Sequence, residues 1–319
     1  MAEAQNILVA LPLSQAQKER IEAAASAADV RFAYAEQPSD EQLACANVII
    51  GMVPVEKLPM AKQLEWLQLS WAGAGPYCAP GALPADVTLT CASGAYGLAC
   101  SEHLLAFTFD LLRRFPEYHR NLAQHVWKTA GHITSVEGST VVVLGMGDIG
   151  GDYARKMNAL GAHIIGVRRT QKPAPSYAER VVTVDELDEV LPEADIVAMA
   201  LPGSDATAHI IDERRLRLMK PNAYLLNVGR GNAIEFAGLK KVLQEGLLAG
   251  VALDVTDPEP LPADDPLWDC PGLLITPHVA GNTSLALTVE RIVDMFLEDF
   301  DNYCAGRPLK HAVDRKRGY

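Results

Sequence analysis

The sequence predicts an α/β protein of two domains, each built on a parallel sheet. Three observations lead there. Short β-branched apolar runs alternate with helical patterns almost from end to end, the order that parallel βαβ units produce. A glycine-rich turn stands where one buried run passes into a helix. Two long amphipathic helices flank the second series of runs, so the chain is expected to leave one domain, build another and return to the first. A length of 319 residues holds two domains of ordinary size.

Taken in order, residues 6–11 read as the first strand. Ser14 caps a helix running through residue 28, and residues 30–35 form the second strand. Ser39 with Gln42 makes a capping box for a short helix, and a strand over residues 48–52 follows. Residues 64–70 and 87–91 are two more strands, separated by the Gly/Pro-rich stretch 72–84. A helix over residues 98–115, apolar on one face, opens the second series. Its strands are expected at residues 140–144, 163–167, 196–201, 224–228, 250–255 and 273–276. The last helix, over residues 285–303, carries Leu285, Val289, Ile292, Met295 and Phe296 at helical spacing. The basic, polar tail over residues 307–319 reads as a solvated end.

Hydrophobic residues make up 49% of the chain and charged ones 21%, the balance of a soluble globular protein with a sizeable core. Lys and Arg number 28 against 40 Asp and Glu, a net charge of −12. That argues against a general nucleic-acid binder and against adsorption to an anionic membrane. An anionic ligand must then be held by a local cluster of cations. The six cysteines, Cys45, Cys78, Cys91, Cys100, Cys270 and Cys304, are scattered without a C-x-x-C pair. They read as small buried hydrophobes in a reducing compartment, with no metal site and no disulfide framework. The apolar run over residues 7–13 contains Pro12 and has no basic segment before it, so it reads as a strand and not as a membrane span or signal peptide. A cytoplasmic protein is expected.

The strongest local signal is Leu144-Gly145-Met146-Gly147-Asp148-Ile149-Gly150. A buried strand ends at Gly145, and residues 152–160 continue as a helix. At such a junction, G-x-G-x-x-G binds a dinucleotide. Gly145 permits the turn, Gly147 lets the backbone approach a pyrophosphate, and Gly150 lets helix and strand pack closely. Asp148 and Ile149, between the second and third glycines, are candidate cofactor contacts, and the helix N-terminus supplies aligned N–H donors. The next strand ends in Gly166-Val167-Arg168-Arg169-Thr170, with no carboxylate for a ribose hydroxyl. Two guanidiniums and a hydroxyl suit a 2′-phosphate, which favours NADP(H) over NAD(H).

Three segments beyond expected strand ends carry candidate chemistry: Asn227-Val228-Gly229-Arg230-Gly231, Asp257-Pro258-Glu259-Pro260, and Thr276-Pro277-His278-Val279-Ala280-Gly281. In a parallel sheet, functional residues gather beyond the carboxyl ends of the strands. Singly, an Arg or Glu is usually a solvated charge and a His a structural residue. Three such residues at three successive strand ends fit the reduction of a 2-keto acid. His278 delivers the proton to the carbonyl oxygen, Glu259 orients it and favours its protonated form, and Arg230 pairs with the substrate carboxylate and polarises the carbonyl.

At these residues the chain resembles the D-isomer-specific 2-hydroxyacid dehydrogenase family over nearly its whole length. The shared motifs are the glycine loop, Leu201-Pro202, residues 227–231, Leu253-Asp254-Val255 through Glu259-Pro260, and Pro277-His278 through Gly281. The resemblance implies Arg230, Glu259 and His278 in the roles given above. It also implies Asp254 near the nicotinamide amide, and cofactor contacts at Leu201, Pro202, Val228, Gly229, His278 and Ala280. The turn Ala72-Gly73-Ala74-Gly75 resembles the family's carboxylate-binding loop, although Pro76 and Tyr77 follow where the family often has Asp. The Arg168-Arg169 pair resembles the NADPH-using glyoxylate/hydroxypyruvate reductase branch.

The implied fold is two Rossmann-like or flavodoxin-like domains with parallel sheets, and the active site in the cleft between them. The substrate domain would be discontinuous, residues 1–97 plus 286–319, around a dinucleotide domain over residues 98–285. The resemblance also implies a homodimer, with a helical arm from about Leu98 through Trp127, bearing Phe107, Phe109, Phe115 and Trp127, as dimer surface or intrachain core. Glyoxylate and hydroxypyruvate lead as substrates by resemblance at the cofactor site, while a larger aliphatic 2-keto acid is equally compatible with the residues. Formate dehydrogenases have Gln where Glu259 stands. The alternative of another class is a dinucleotide-sensing scaffold or corepressor-like binding protein of the same fold, which has no need of Glu259 and His278 together.

Overall fold

In the computed structural model, residues 5–25, 29–316 and 318 are described. The chain runs β1 (Gln5–Ala10), α1 (Gln15–Ala24), β2 (Val30–Tyr34), α2 (Asp40–Cys45), β3 (Val48–Gly51), β4 (Trp66–Gln68), α3 (Gly75–Cys78) and β5 (Thr88–Thr90). It continues through α4 (Gly97–Leu112), α5 (Phe115–Ala123), β6 (Thr140–Leu144), α6 (Asp148–Ala159), β7 (His163–Arg168), β8 (Arg180–Thr183), α7 (Leu187–Val190) and β9 (Ile196–Met199). Last come α8 (Glu213–Leu216), β10 (Tyr224–Asn227), α9 (Phe236–Gln244), β11 (Gly250–Leu253), β12 (Leu273–Ile275) and α10 (Ala286–Cys304). Two compact units result, Met1–Tyr96 with Thr283–Tyr319, and Gly97–Asn282.

The first unit holds a five-stranded sheet in the order β2-β1-β3-β4-β5, with parallel ladders throughout. This is the flavodoxin-like order. Its helices start where side chains can cap them: Ser14 with Gln17, and Ser39 with Gln42, form reciprocal capping boxes. The described residues of α1 end at Ala24, and the remainder of the expected helix, residues 26–28, lies outside the described residues. Helix α10 turns Val289, Ile292, Phe296 and Phe300 inward. Phe296 stacks on the wholly buried Trp66 at 5.2 Å, and the Trp66 indole N–H donates to Thr90 Oγ1 at 2.9 Å.

The second unit holds seven strands in the order β12-β11-β10-β9-β6-β7-β8, again parallel throughout. Strands β6, β9, β10 and β11 are buried on both faces, which is why they read as unbroken apolar runs. The connections diverge at β6, whose neighbours are β9 and β7. Such a switch point leaves a crevice at the carboxyl ends of the strands, and the glycine loop follows β6 directly. Helices α4 and α6 are joined by buried polar groups. Tyr153 and Thr108 share a hydrogen bond of 2.8 Å, and Ser101 donates to Asp152 at 2.8 Å. Burial pushes the Asp152 carboxyl up, but Lys156, Ser101 and Arg155 together overcome this and bring it down to about 2.

Several expectations need correction. The tail is not a free solvated end: Ala312 bridges Thr90 antiparallel at the sheet edge, and Arg315 donates to the carbonyls of Pro84 and Val87. The buried Asp299 carboxylate accepts the Lys310 and His311 N–H groups, which fastens the tail to α10. Strand β8 carries no strong pattern of its own, since only Val181 and Val182 are buried. The arm breaks at Arg114, whose φ of 59° separates α4 from α5. Within it Phe107 is core, whereas Phe109, Phe115 and Trp127 are exposed. Cys45 and Cys304 are exposed rather than buried, and all six cysteines are free thiols. No helix among the described residues is long and apolar enough to cross a membrane.

Trp66 fills the space between the first sheet and α10, so Trp66→Ala leaves a cavity and takes a donor from the buried Thr90 hydroxyl. The expected cost is about 3–5 kcal/mol, read from the denaturant midpoint of the first unit. A shift worth less than about 1 kcal/mol would mean that α10 does not depend on this contact.

Candidate active site

The turn Gly145-Met146-Gly147 joins β6 to α6, and α6 begins at Asp148 rather than at residue 152. Ile149 and Gly150 therefore lie in its first turn. Two of the three motif glycines are demanded by the chain itself. Gly145 has φ +93°, and a Cβ there would fall 2.6 Å from the Ala200 carbonyl oxygen. At Gly150 a Cβ would fall 2.0 Å from the Gly145 oxygen, where helix and strand touch. Gly147 is different. A Cβ there meets nothing within 4 Å, so the protein's own packing does not ask for glycine. The open space there leaves room for a group approaching from outside, at a helix N-terminus whose first N–H groups have no acceptor within the helix. The Asp148 carboxylate turns the other way, over the start of α4, where it lies 2.3 Å from the position a Gly97 Cβ would take.

At the end of β7, Arg168 is half-buried, while Arg169 and Thr170 are exposed. The Arg168 Nε is buried without a hydrogen-bond partner among the described residues. A buried N–H of this kind ordinarily has a partner. Together with the open Gly147 and the helix N-terminus, it fits a bound dinucleotide.

The three expected catalytic residues follow three adjacent strands, β10, β11 and β12. His278 Nδ1 lies 2.9 Å from Glu259 Oε2, and both side chains remain partly exposed. Thr256 N–H steadies the other Glu259 oxygen at 3.4 Å. Arg230 donates from Nη1 to the Gly229 carbonyl at 2.7 Å, and its stem lies over Gly203, where a Cβ would come 3.1 Å from Arg230 Cγ. The Arg230 loop meets the Glu259 loop at Gly231, whose Cβ would fall 1.9 Å from the Thr256 oxygen.

Behind these residues is a scaffold of buried polar side chains. Asn227, wholly buried, accepts from Gly229 N–H and donates to the Arg230 carbonyl, both at 2.9 Å, and so shapes the turn that carries Arg230. Asp254 is also buried. Its Oδ1 accepts from Thr276 Oγ1 at 2.6 Å and Val279 N–H at 2.9 Å, and its Oδ2 accepts from Ala280 N–H at 3.0 Å. The His278 N–H donates to the Asp254 carbonyl at 2.8 Å. These bonds close a turn in which His278 has φ 52°, a conformation that non-glycine residues rarely adopt. Asn227 and Thr276 open two of the candidate segments, but their partners do not show in the sequence, because these are set by which strands lie side by side.

The other residues expected to contact a cofactor are distributed over the strand ends. Val228 and Gly229 follow β10, and Gly229 packs on Leu201, to whose oxygen a Cβ would come within 2.6 Å. Leu201 and Pro202 follow β9, and Ala280 is buried beside Asp254. Next to the Glu259–His278 pair opens a cavity of about 600 Å³, walled mainly by Pro260, Leu261, Trp268, Ile275 and Pro277. In the first unit the turn Ala72-Gly73-Ala74-Gly75 follows β4 and leads into α3. Pro76 sits in the first turn of α3, and the buried Tyr77 donates its hydroxyl to the Val53 carbonyl at 2.8 Å, so these two residues build a local helix. Among the described residues there is no His, Cys, Asp and Glu cluster suited to a metal ion.

Residues 105–280 match the family described as D-isomer specific 2-hydroxyacid dehydrogenase, NAD binding domain. The chain belongs to this family. It is 32% identical over 223 residues to the glyoxylate/hydroxypyruvate reductase A of Salmonella newport (strain SL254), covering 70% of each chain. A D-isomer specific 2-hydroxyacid dehydrogenase family protein from Aeromonas salmonicida subsp. salmonicida A449 matches with a TM-score of 0.87 and 29% identity, over 98% of this chain and 100% of the other. A D-isomer specific 2-hydroxyacid dehydrogenase from Xanthobacter autotrophicus Py2, crystallised with NADPH and MES, matches with a TM-score of 0.81 and 26% identity, over 99% and 100%.

The glycines separate fold from ligand. Gly147→Ala should cost at most about 1 kcal/mol of stability, from the poorer helix cap, yet weaken dinucleotide binding measured by fluorescence titration. Gly150→Ala should lower the melting temperature because helix and strand must separate. Unchanged dinucleotide affinity in a folded Gly147→Ala protein would contradict the assignment of that open position.

Proposed function

We propose that the protein reduces a small 2-keto acid to the D-2-hydroxy acid with NADPH as the preferred reductant. The unit Gly97–Asn282 serves as the dinucleotide domain and the discontinuous unit as the substrate domain. The observation that carries this reading is the Glu259–His278 contact of 2.9 Å, at the same carboxyl rim of the sheet as the glycine loop. When bound, the reduced nicotinamide supplies the hydride that the carbonyl carbon accepts. The chain's own role is to receive the negative charge that grows on the carbonyl oxygen. His278, with Nδ1–H held by Glu259, donates a proton from Nε2 to that oxygen. Glu259 fixes the ring's orientation through that contact. Arg230 pairs its guanidinium fork with the substrate carboxylate and polarises the carbonyl. The turn Ala72-Gly73-Ala74-Gly75 enters this reading by resemblance alone, as a carboxylate-binding loop.

The NADPH preference rests on Arg168, Arg169 and Thr170 around a 2′-phosphate. Arg168 is the best supported of them, because its buried Nε has no partner among the described residues. No Asp or Glu stands in the segment Gly166-Val167-Arg168-Arg169-Thr170 to accept from a ribose hydroxyl. Dimerisation through the arm is supported by its exposed apolar residues, Phe109, Phe115, Leu122, Val126 and Trp127.

The test is the initial rate of NADPH and of NADH oxidation with glyoxylate, hydroxypyruvate, pyruvate and 4-methyl-2-oxopentanoate. NADPH should be preferred with at least one of them, and Arg168→Ala should cut kcat/KM for NADPH by roughly 10- to 100-fold, the worth of one charged hydrogen bond, with little effect on NADH. His278→Ala should lower kcat by on the order of 10²- to 10⁴-fold while dinucleotide binding persists. Binding of dinucleotide without turnover of any 2-keto acid would favour a sensing scaffold instead.

A further inference from the structure

Helix α4 supplies a residue that neither the motifs nor the proposed reaction uses. His103 lies half-buried on the face of α4 turned to the strand ends, its ring edge-on to Phe107 one turn later, at 4.4 Å and 74°. Its Nε2 is 3.0 Å from Thr276 Oγ1 and 3.7 Å from Asp254 Oδ1. The Thr276 hydroxyl proton is committed to Asp254 Oδ1 at 2.6 Å. Thr276 Oγ1 can therefore only accept from His103, which assigns the imidazole as the Nε2–H form. Burial holds the His103 pKa below the ordinary histidine range, against the opposing pull of Asp254, and keeps that donor neutral near pH 7.

We propose that His103 is a positioning residue for the proton donor: through Thr276 and Asp254 it sets the turn that holds His278 against Glu259. The chain of contacts is continuous. His103 Nε2–H donates to Thr276, and Thr276 donates to Asp254 Oδ1. The same carboxylate accepts the N–H groups of Val279 and Ala280, the two residues that follow His278. Two acceptor oxygens thus hold three donors, and His103 fixes which way the Thr276 hydroxyl turns. Without that donor, the hydroxyl is free to rotate away, and Oδ1 is left to Val279 alone. The left-handed backbone at His278, φ 52°, then loses some of what holds it. This inference rests on His278 being the proton donor, and its test includes a measurement that does not need turnover.

Two variants separate positioning from bulk. His103→Gln places an amide N–H near the Nε2 position, whereas His103→Phe keeps a ring packed on Phe107 and removes the donor. Both are measured for melting temperature, for kcat and KM with the best 2-keto acid and NADPH, and for the His278 imidazole titration by NMR in the unliganded protein. The Phe variant should lose on the order of 10- to 100-fold in kcat, the scale on which a misplaced catalytic group is felt. Its KM should stay within about threefold, with a displaced His278 titration. The Gln variant should recover most of both. Equal losses in the two variants, tracking their melting temperatures, would make His103 structural and overturn the inference. So would an unchanged His278 titration in the Phe variant. If the wild-type protein turns over no 2-keto acid, the reaction reading fails by itself, and the NMR titration still decides whether His103 governs His278.

Discussion

One buried carboxylate organises the chemistry of this protein. Asp254 directly follows β11, the middle one of three adjacent strands, and its groups reach the ends of the other two. Its N–H donates to the Asn227 carbonyl on β10, and its carboxylate gathers Thr276, Val279 and Ala280 after β12. A carboxylate taken out of water is costly unless hydrogen bonds replace hydration. Three donors on two oxygens do so here, and the requirement works in both directions. The charge needs the turn closed, and the closed turn holds His278 at φ 52° with its Nδ1 against Glu259. On the neighbouring strand, Asn227 does the same for the Arg230 loop with neutral chemistry. Its amide both accepts from and donates to that loop.

Electrostatics in the rest of the unit follow from scarcity of positive charge. With a net charge of −12, the chain offers an anionic ligand no general attraction. Many of its arginines and lysines are engaged in ion pairs, as in the network of Arg214 and Arg215 with Asp188, or Arg217 with Glu213 and Glu245. Arg168 makes no ion pair among the described residues and keeps a buried Nε unspent. Cys100, near Asp254, Asp148 and Arg230, is the opposite case. Burial first, and the two carboxylates second, push its thiol up to about 12, so it serves as packing and not as a nucleophile.

What was legible in the sequence was whatever depends on neighbours along the chain. The Gly145–Gly150 turn reads correctly because strand, turn and helix follow one another directly, and the capping boxes at Ser14 and Ser39 span only three residues. Glu259 and His278 could be placed at strand ends because each strand is an apolar run with a sharp polar end. The roles of Asn227, Thr276 and His103 could not be read, since each depends on the lateral order β10-β11-β12 and on α4 lying behind it. The docked tail was hidden for another reason. Its basic composition resembles a solvated end, yet Arg315 uses its fork on backbone carbonyls before β5, not on solvent or a carboxylate. Strand β8 was lost because two buried valines make too short a pattern.

The most direct test of this account removes the charge that it centres on and leaves the shape. Asp254→Asn keeps the volume of the side chain but faces at least one of Thr276, Val279 and Ala280 with a donor instead of an acceptor. In a protein that still melts cooperatively, kcat should fall on the order of 100-fold as the His278 turn relaxes. If kcat stays within about twofold of wild type, the turn does not need Asp254, and the reading of the site as built around that carboxylate is wrong.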